Sequence, residues 1–147
     1  MPRTLTLALA LLLAMACRAP AAAQTPVARS WPVPETPVPT TDSVWGAVTA
    51  SANLVTDDAG RSWVWNAMYV GFRDGAPREV RQALFDSVGA RAVGGTTLAG
   101  RDLYLVTLDG WHPTAPDSAL RRLIDLANRL RARPAVRGVM TISVTEP

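Results

Sequence analysis

Residues 63–73, WVWNAMYVGFR, alternate like a strand but are apolar on both sides. Val64, Met68, Val70 and Phe72 fall on one face, and Trp63, Trp65, Ala67 and Tyr69 on the other. A strand of this kind must be covered on both faces. The segments around it have to supply that cover.

The next segments supply one side of it. Asp74-Gly75-Ala76-Pro77 turns the chain. Pro77 suits a helix start, Glu79 complements its dipole, and Gly89 stands where a left-handed C-terminal residue is expected. Between them Val80, Leu84 and Val88 recur at i, i+4, i+8. Ala90 to Val93 reads as a short strand that ends or bends at Gly94-Gly95. Leu98-Ala99-Gly100-Arg101 leads into a clear strand, Leu103 to Leu108. Pro116-Asp117-Ser118 opens a second helix, with Leu120, Leu123, Ala127 and Leu130 on one face and i,i+4 pairs of Arg121, Asp125 and Arg129 on the wet side. Pro134 stops it, and Val136 to Val144 is the last strand. The order is β-α-β-β-α-β. It predicts an α+β domain over residues 62–147: a ferredoxin-like split βαβ sandwich, a four-stranded antiparallel sheet with two helices on one face. Met68, Val70, Phe72, Leu84, Val88, Tyr104, Val106, Leu123, Ala127 and Leu130 should share one core under the helices. The opposite face, with Trp65, Ala67, Tyr69, Leu103 and Leu105, is too apolar to stay in water uncovered.

The segments before residue 62 are of other kinds. A basic start with Arg3, an apolar run from Leu5 to Ala16 and Ala21-Ala22-Ala23 form an export signal over residues 1–23. Cleavage after Ala23 makes the protein secreted or periplasmic, with no stable insertion in the membrane. The alternative is a lipoprotein anchored through Cys17. Residues 24–41 contain Pro26, Pro32, Pro34, Pro37 and Pro39, a spacing that forbids helix and reads as an extended linker. Residues 42–61 are an accessory segment, a helix from Asp42 or an edge strand, closed by a turn at Asp57-Asp58-Ala59-Gly60.

Charge and chemistry narrow the function. All 15 basic residues of the whole chain are arginines, set against 12 acids. Cleavage after Ala23 removes Arg3 and Arg18 and leaves a net charge of +1, so nucleic-acid binding loses its main electrostatic support and no nucleic-acid partner is expected. It also removes the lone cysteine, so no thiol or disulfide chemistry is expected. His112 is the single histidine and has no companions for a metal site. The paired Asp57 and Asp58 read as a solvated turn, since no further carboxylates follow at loop-ligand spacing. There is no GxSxG, no GxGxxG and no phosphate loop. No cofactor, no metal and no enzymatic activity are expected.

Asn66, Val70 and Phe72, Gly89, Val93 to Gly95, Tyr104, and Leu130, Pro134 and Val136 follow one another in a recognisable order. In that order and spacing, residues 62–147 resemble the N-terminal prodomains of subtilisin-like serine proteases, the fervidolysin-type propeptides especially. The resemblance implies a non-catalytic domain that binds such a protease, helps it fold and inhibits it. The open sheet face (Trp65, Ala67, Tyr69, Leu103, Leu105) would dock on the protease, and the tail Val144, Thr145, Glu146 and Pro147 would lie in its substrate cleft. No catalytic domain follows in this chain, so the implied action is in trans, as a free-standing inhibitor or folding helper. The alternative is a structural or ligand-binding module, or the remnant of a truncated protease gene, with no protease partner. In that case residues 42–55 or an oligomer would cover the sheet face.

Overall fold

The computed structural model describes residues 32–109 and 115–145. The expected export signal, the first part of the proline-rich segment, His112, Glu146 and Pro147 lie outside these residues. The described chain is α+β, with one five-stranded antiparallel sheet and three α-helices. Helix α1 is Asp42–Val48 and is followed by a 3-10 turn, Ser51–Asn53. Strand β1 is Leu54–Thr56, β2 Ser62–Phe72, β3 Ala90–Leu98, β4 Arg101–Leu108 and β5 Val136–Val144. Helix α2 is Arg78–Ser87 and α3 is Pro116–Arg131. The sheet thus has one strand more, and the chain one helix more, than residues 62–147 alone predict. Both additions come from residues 42–56, which form a helix and an edge strand together.

The eleven-residue β2 is the spine. β5 runs beside it on one flank and β4 on the other, with β3 outside β4, and β1 pairs with the start of β2. Local signals fix most ends. Gly89 closes α2 at φ 64°, and Pro77 with its extended ψ precedes that helix. Ala99 and Gly100 join β3 to β4 with φ of 50° and 72°, the primed turn that matches the twist of a hairpin.

The larger core lies between the sheet and α2 and α3. It contains Met68, Val70, Phe72, Tyr104, Val106, Leu123, Ala127 and Leu130, with Leu84 and Val88 half-buried at its rim. Phe72, Phe85 and Tyr104 meet edge to face at centroid distances of 5.5, 5.8 and 6.3 Å. The buried stripe of α2 is therefore Arg81, Leu84, Phe85 and Val88. It is not the Val80–Leu84–Val88 line, and Val80 keeps 43% of its surface exposed. A charged residue at the centre of the stripe hid the true face.

Two expectations about the chain's course are corrected. Of the two outcomes expected at Gly94-Gly95, β3 does not stop there but shifts register between Ala92 and Gly94 and runs on to Leu98. The two glycines serve a different purpose. A Cβ on Gly94 would come within 2.7 Å of Thr40 Oγ1, and one on Gly95 would fall inside van der Waals contact with Pro37 Cβ and the Leu103 carbonyl. They leave room for residues 32–40, which are packed against the domain as a strap and do not form a free linker. Val33 is buried in the helix-side core, its N–H donates to Gln82 Oε1 (2.7 Å) and its carbonyl accepts from Arg78 Nε (2.7 Å). Thr40 N–H donates to Gly95 O (3.1 Å), closing the free edge of β3. Proline suits this extended path because the strap needs few N–H donors.

Candidate docking face

The second face of the sheet is divided. Towards the start of β2 it is covered. Val48 of α1 packs with Val64, Ala67, Leu105 and Ile142, and Val44 and Leu54 flank them. Ala67 and Leu105 are thereby fully buried. Towards the end of β2 the face stays open. Tyr69 is paired across the sheet with Leu105 on one side and Met140 on the other, so the three side chains share a face. Gly71 pairs with both Leu103 and Gly138, which extends the same face. Leu103 leans over Gly71, where a Cβ would lie 3.0 Å from Leu103 Cδ2, whereas nothing lies within 4 Å of that position on Gly138. The result is a shallow apolar surface with Tyr69, Leu103 and Met140 standing around a floor of two glycines. Met140 keeps 44% of its surface exposed.

Of the five residues expected on the docking face, Tyr69 and Leu103 remain accessible, Ala67 and Leu105 lie beneath α1, and Trp65 belongs elsewhere. Trp65 packs with Val55 and with Ala119 of α3, and its indole N–H donates to Ala52 O (3.2 Å). The period-2 rule failed because β2 is irregular. From Trp63 to Met68 the strand advances five residues while its partner β5 advances two, from Ser143 to Thr141. The three surplus residues, an odd number, exchange the two faces. Met140 lies on β5, to which the residue pattern alone assigns no face. Val144 pairs with Ser62 and is half-buried, and Thr145 is exposed just beyond the strand.

Between α1 and the sheet lies a cavity of about 230 Å³, lined by Val44, Val48, Asn53, Asn66, Val93 and Thr107, among others. Asn53 Nδ2 donates to the Ala47 and Val48 carbonyls at the end of α1 (2.9 and 3.3 Å). Asn66 Nδ2 donates to Asn53 Oδ1 (3.1 Å). Asn66 Oδ1 and Thr107 Oγ1 are buried with no hydrogen-bond partner among the described residues. Buried polar groups ordinarily have one, so this seam is incompletely satisfied.

A second polar centre lies under the strap. Arg81 is 93% buried; one guanidinium nitrogen donates to Glu35 O (2.8 Å) and to Tyr104 Oη, and the group lies 5.5 Å above the Tyr104 ring. Tyr104 Oη in turn donates to Glu35 O (2.8 Å). Burial raises the Tyr104 hydroxyl above its ordinary value of 10.0, against the lowering effect of Arg81. These groups tether the strap through the Glu35 carbonyl, while Arg81 Nε is buried without a hydrogen-bond partner among the described residues.

The aspartate turn is also occupied by its own chain. Asp57 accepts from Ala59 N, Arg61 N, Arg61 Nε and the Trp63 indole at 2.9–3.0 Å. The Trp63 indole, then the Arg61 backbone N–H, hold its carboxyl at about 2. Among the described residues no three His, Cys, Asp or Glu side chains come together as a metal site. Of the C-terminal arginines of α3, Arg131 reaches across to β5, donating to Asn128 Oδ1 (2.9 Å) and to Val139 O (2.7 Å). No family model, no curated protein and no solved structure matches the chain.

Proposed function

We propose that this is an exported, non-catalytic domain that binds a subtilisin-like serine protease in trans, as inhibitor or folding helper. On this reading β2 to β5 with α2 and α3 form a ferredoxin-like split βαβ unit, and residues 32–56 are an added covering. The order β5-β2-β4-β3 supports that assignment. The observation that carries the function is the open end of the sheet: Tyr69, Leu103 and Met140 around Gly71 and Gly138, an apolar surface without steep relief. Aromatic and methionine side chains are favoured at such contacts because they bury large areas and adapt their shape. On this reading the tail from Val144 onward, as the resemblance implies, would supply the segment for the cleft.

The test is inhibition of a panel of secreted subtilisin-like proteases by the mature chain, with Tyr69→Ala and a chain ending at Val144 alongside. Inhibition weakened by either variant supports the reading. A parent that neither binds nor inhibits any of them removes it. The second reading, a structural module, is favoured by α1: half of the sheet face is already covered by the chain itself.

A further inference from the structure

We propose that α1 is a displaceable cover, and that a partner engaging the open end of the sheet gains the remaining half of the face by lifting α1. The inference rests on the docking reading for its partner but not for its mechanics. α1 has seven residues, fewer than an isolated helix needs, so its stability must come from packing. That packing is sparse. Val48 is its one buried side chain, with Val44 half-buried beside it, Gly46 interrupts it, and Trp45 keeps 39% of its surface exposed. The surface beneath is polar where it meets Asn66 and Thr107, whose buried, orphaned oxygens would regain water if α1 moved away. Under the apolar part lie Val64, Ala67 and Leu105, continuous with Tyr69 through the pairing of Tyr69 with Leu105. Each end of α1 is held independently of α1, by the Thr40–Gly95 bond before it and by the β1–β2 pairing after it. The helix can therefore leave the sheet without unthreading the chain.

Two substitutions bias the cover without touching Tyr69, Leu103 or Met140. Gly46→Ala adds a methyl group where nothing lies within 4 Å and should slow local opening about fivefold. Val48→Ala removes the anchor and should speed opening tenfold or more. Hydrogen exchange of the α1 amides and binding of the apolar-surface dye ANS are read first, without any partner. The α1 amides should exchange far faster than those of β2, in the order Val48→Ala, parent, Gly46→Ala, with dye binding in the same order. Affinity for an inhibited subtilisin-like protease should follow that order too. α1 amides that exchange only with global unfolding, or variants that alter opening but not affinity for a protease the parent binds, overturn the proposal. If α1 opens as expected and the parent binds no protease, the cover stands and the protease reading fails.

Discussion

Gly95 and Pro37 stand against each other where the strap crosses the edge of β3, and the contact exists because Gly95 has no side chain. Gly95→Ala would drive a methyl group into Pro37 and into the Leu103 carbonyl, a backbone atom that cannot move aside. We expect a loss of about 1–3 kcal/mol in urea unfolding and new proteolytic cleavage within residues 32–40. Gly138→Ala, with open space around the new methyl group, should stay within about 0.5 kcal/mol.

Arg81 holds the strap chiefly through the Glu35 backbone carbonyl. The Glu35 carboxylate, 3.4 Å from the guanidinium, is 79% exposed. An exposed partner of this kind contributes at most about 1 kcal/mol, so Glu35→Gln should be nearly silent. Arg81→Ala should cost about 1–3 kcal/mol, because it removes one buried and one part-buried hydrogen bond and the packed stem. Arg81→Met keeps the stem and removes the buried charge, so its loss should be smaller. Chemical denaturation of the three variants orders them.

Phe85, not Leu84, is the principal anchor of α2. Phe85→Ala should cost about 3–5 kcal/mol, and Leu84→Ala, at the rim of the core, clearly less. Equal losses would mean that the helix face has been misassigned.

The pH dependence has two separate limbs. Tyr104 has a raised value in the folded state, so its contribution is complete below pH 10 and is lost as pH rises through that higher value. Ultraviolet difference titration should show one tyrosine ionising late, and in Tyr104→Phe that late step should vanish. Asp57 has a lowered value, so its support of the turn is present above pH 4 and is lost as pH falls through about 2. The Trp63 indole proton resonance should move over that lower range and be insensitive to it in Asp57→Asn.

For the docking face, Met140→Ala should weaken protease binding as Tyr69→Ala does, by at least about 2 kcal/mol or roughly thirtyfold. Trp65→Ala should lower stability instead, since the ring is buried against Val55 and Ala119. Inhibition constants measured beside melting temperatures separate the two effects.

The regular elements were legible because their signals are local. Val136–Val144 and the start of α3 at Pro116 lie where the residue pattern puts them. What escaped involved contacts between distant segments. The glycine pair reads as a strand end in isolation and as a passage for the strap only when Pro37 and Thr40 are beside it. Arg81 carries no local sign of the Tyr104 hydroxyl and Glu35 carbonyl that surround it. Trp65 was misplaced by an irregularity in the β2–β5 register that no alternation rule contains. Tyr69 and Leu103 keep the face that alternation gives them because their strands pair regularly there.

The strap also sets a timetable. Its bonds to α2 and β4 join residues 45 to 70 positions apart, as in Val33 with Arg78 and Pro34 with Tyr104. Residues 32–40 leave the ribosome long before Tyr104 exists. They acquire their binding groove only after α2 has docked and the β3–β4 hairpin has closed. Contacts of such span carry the largest loop-closure cost and form late. The segment that arrives first should therefore be the last to settle. The slowest folding phase should vanish from a chain beginning at Thr41, while the hairpin and α2 still assemble.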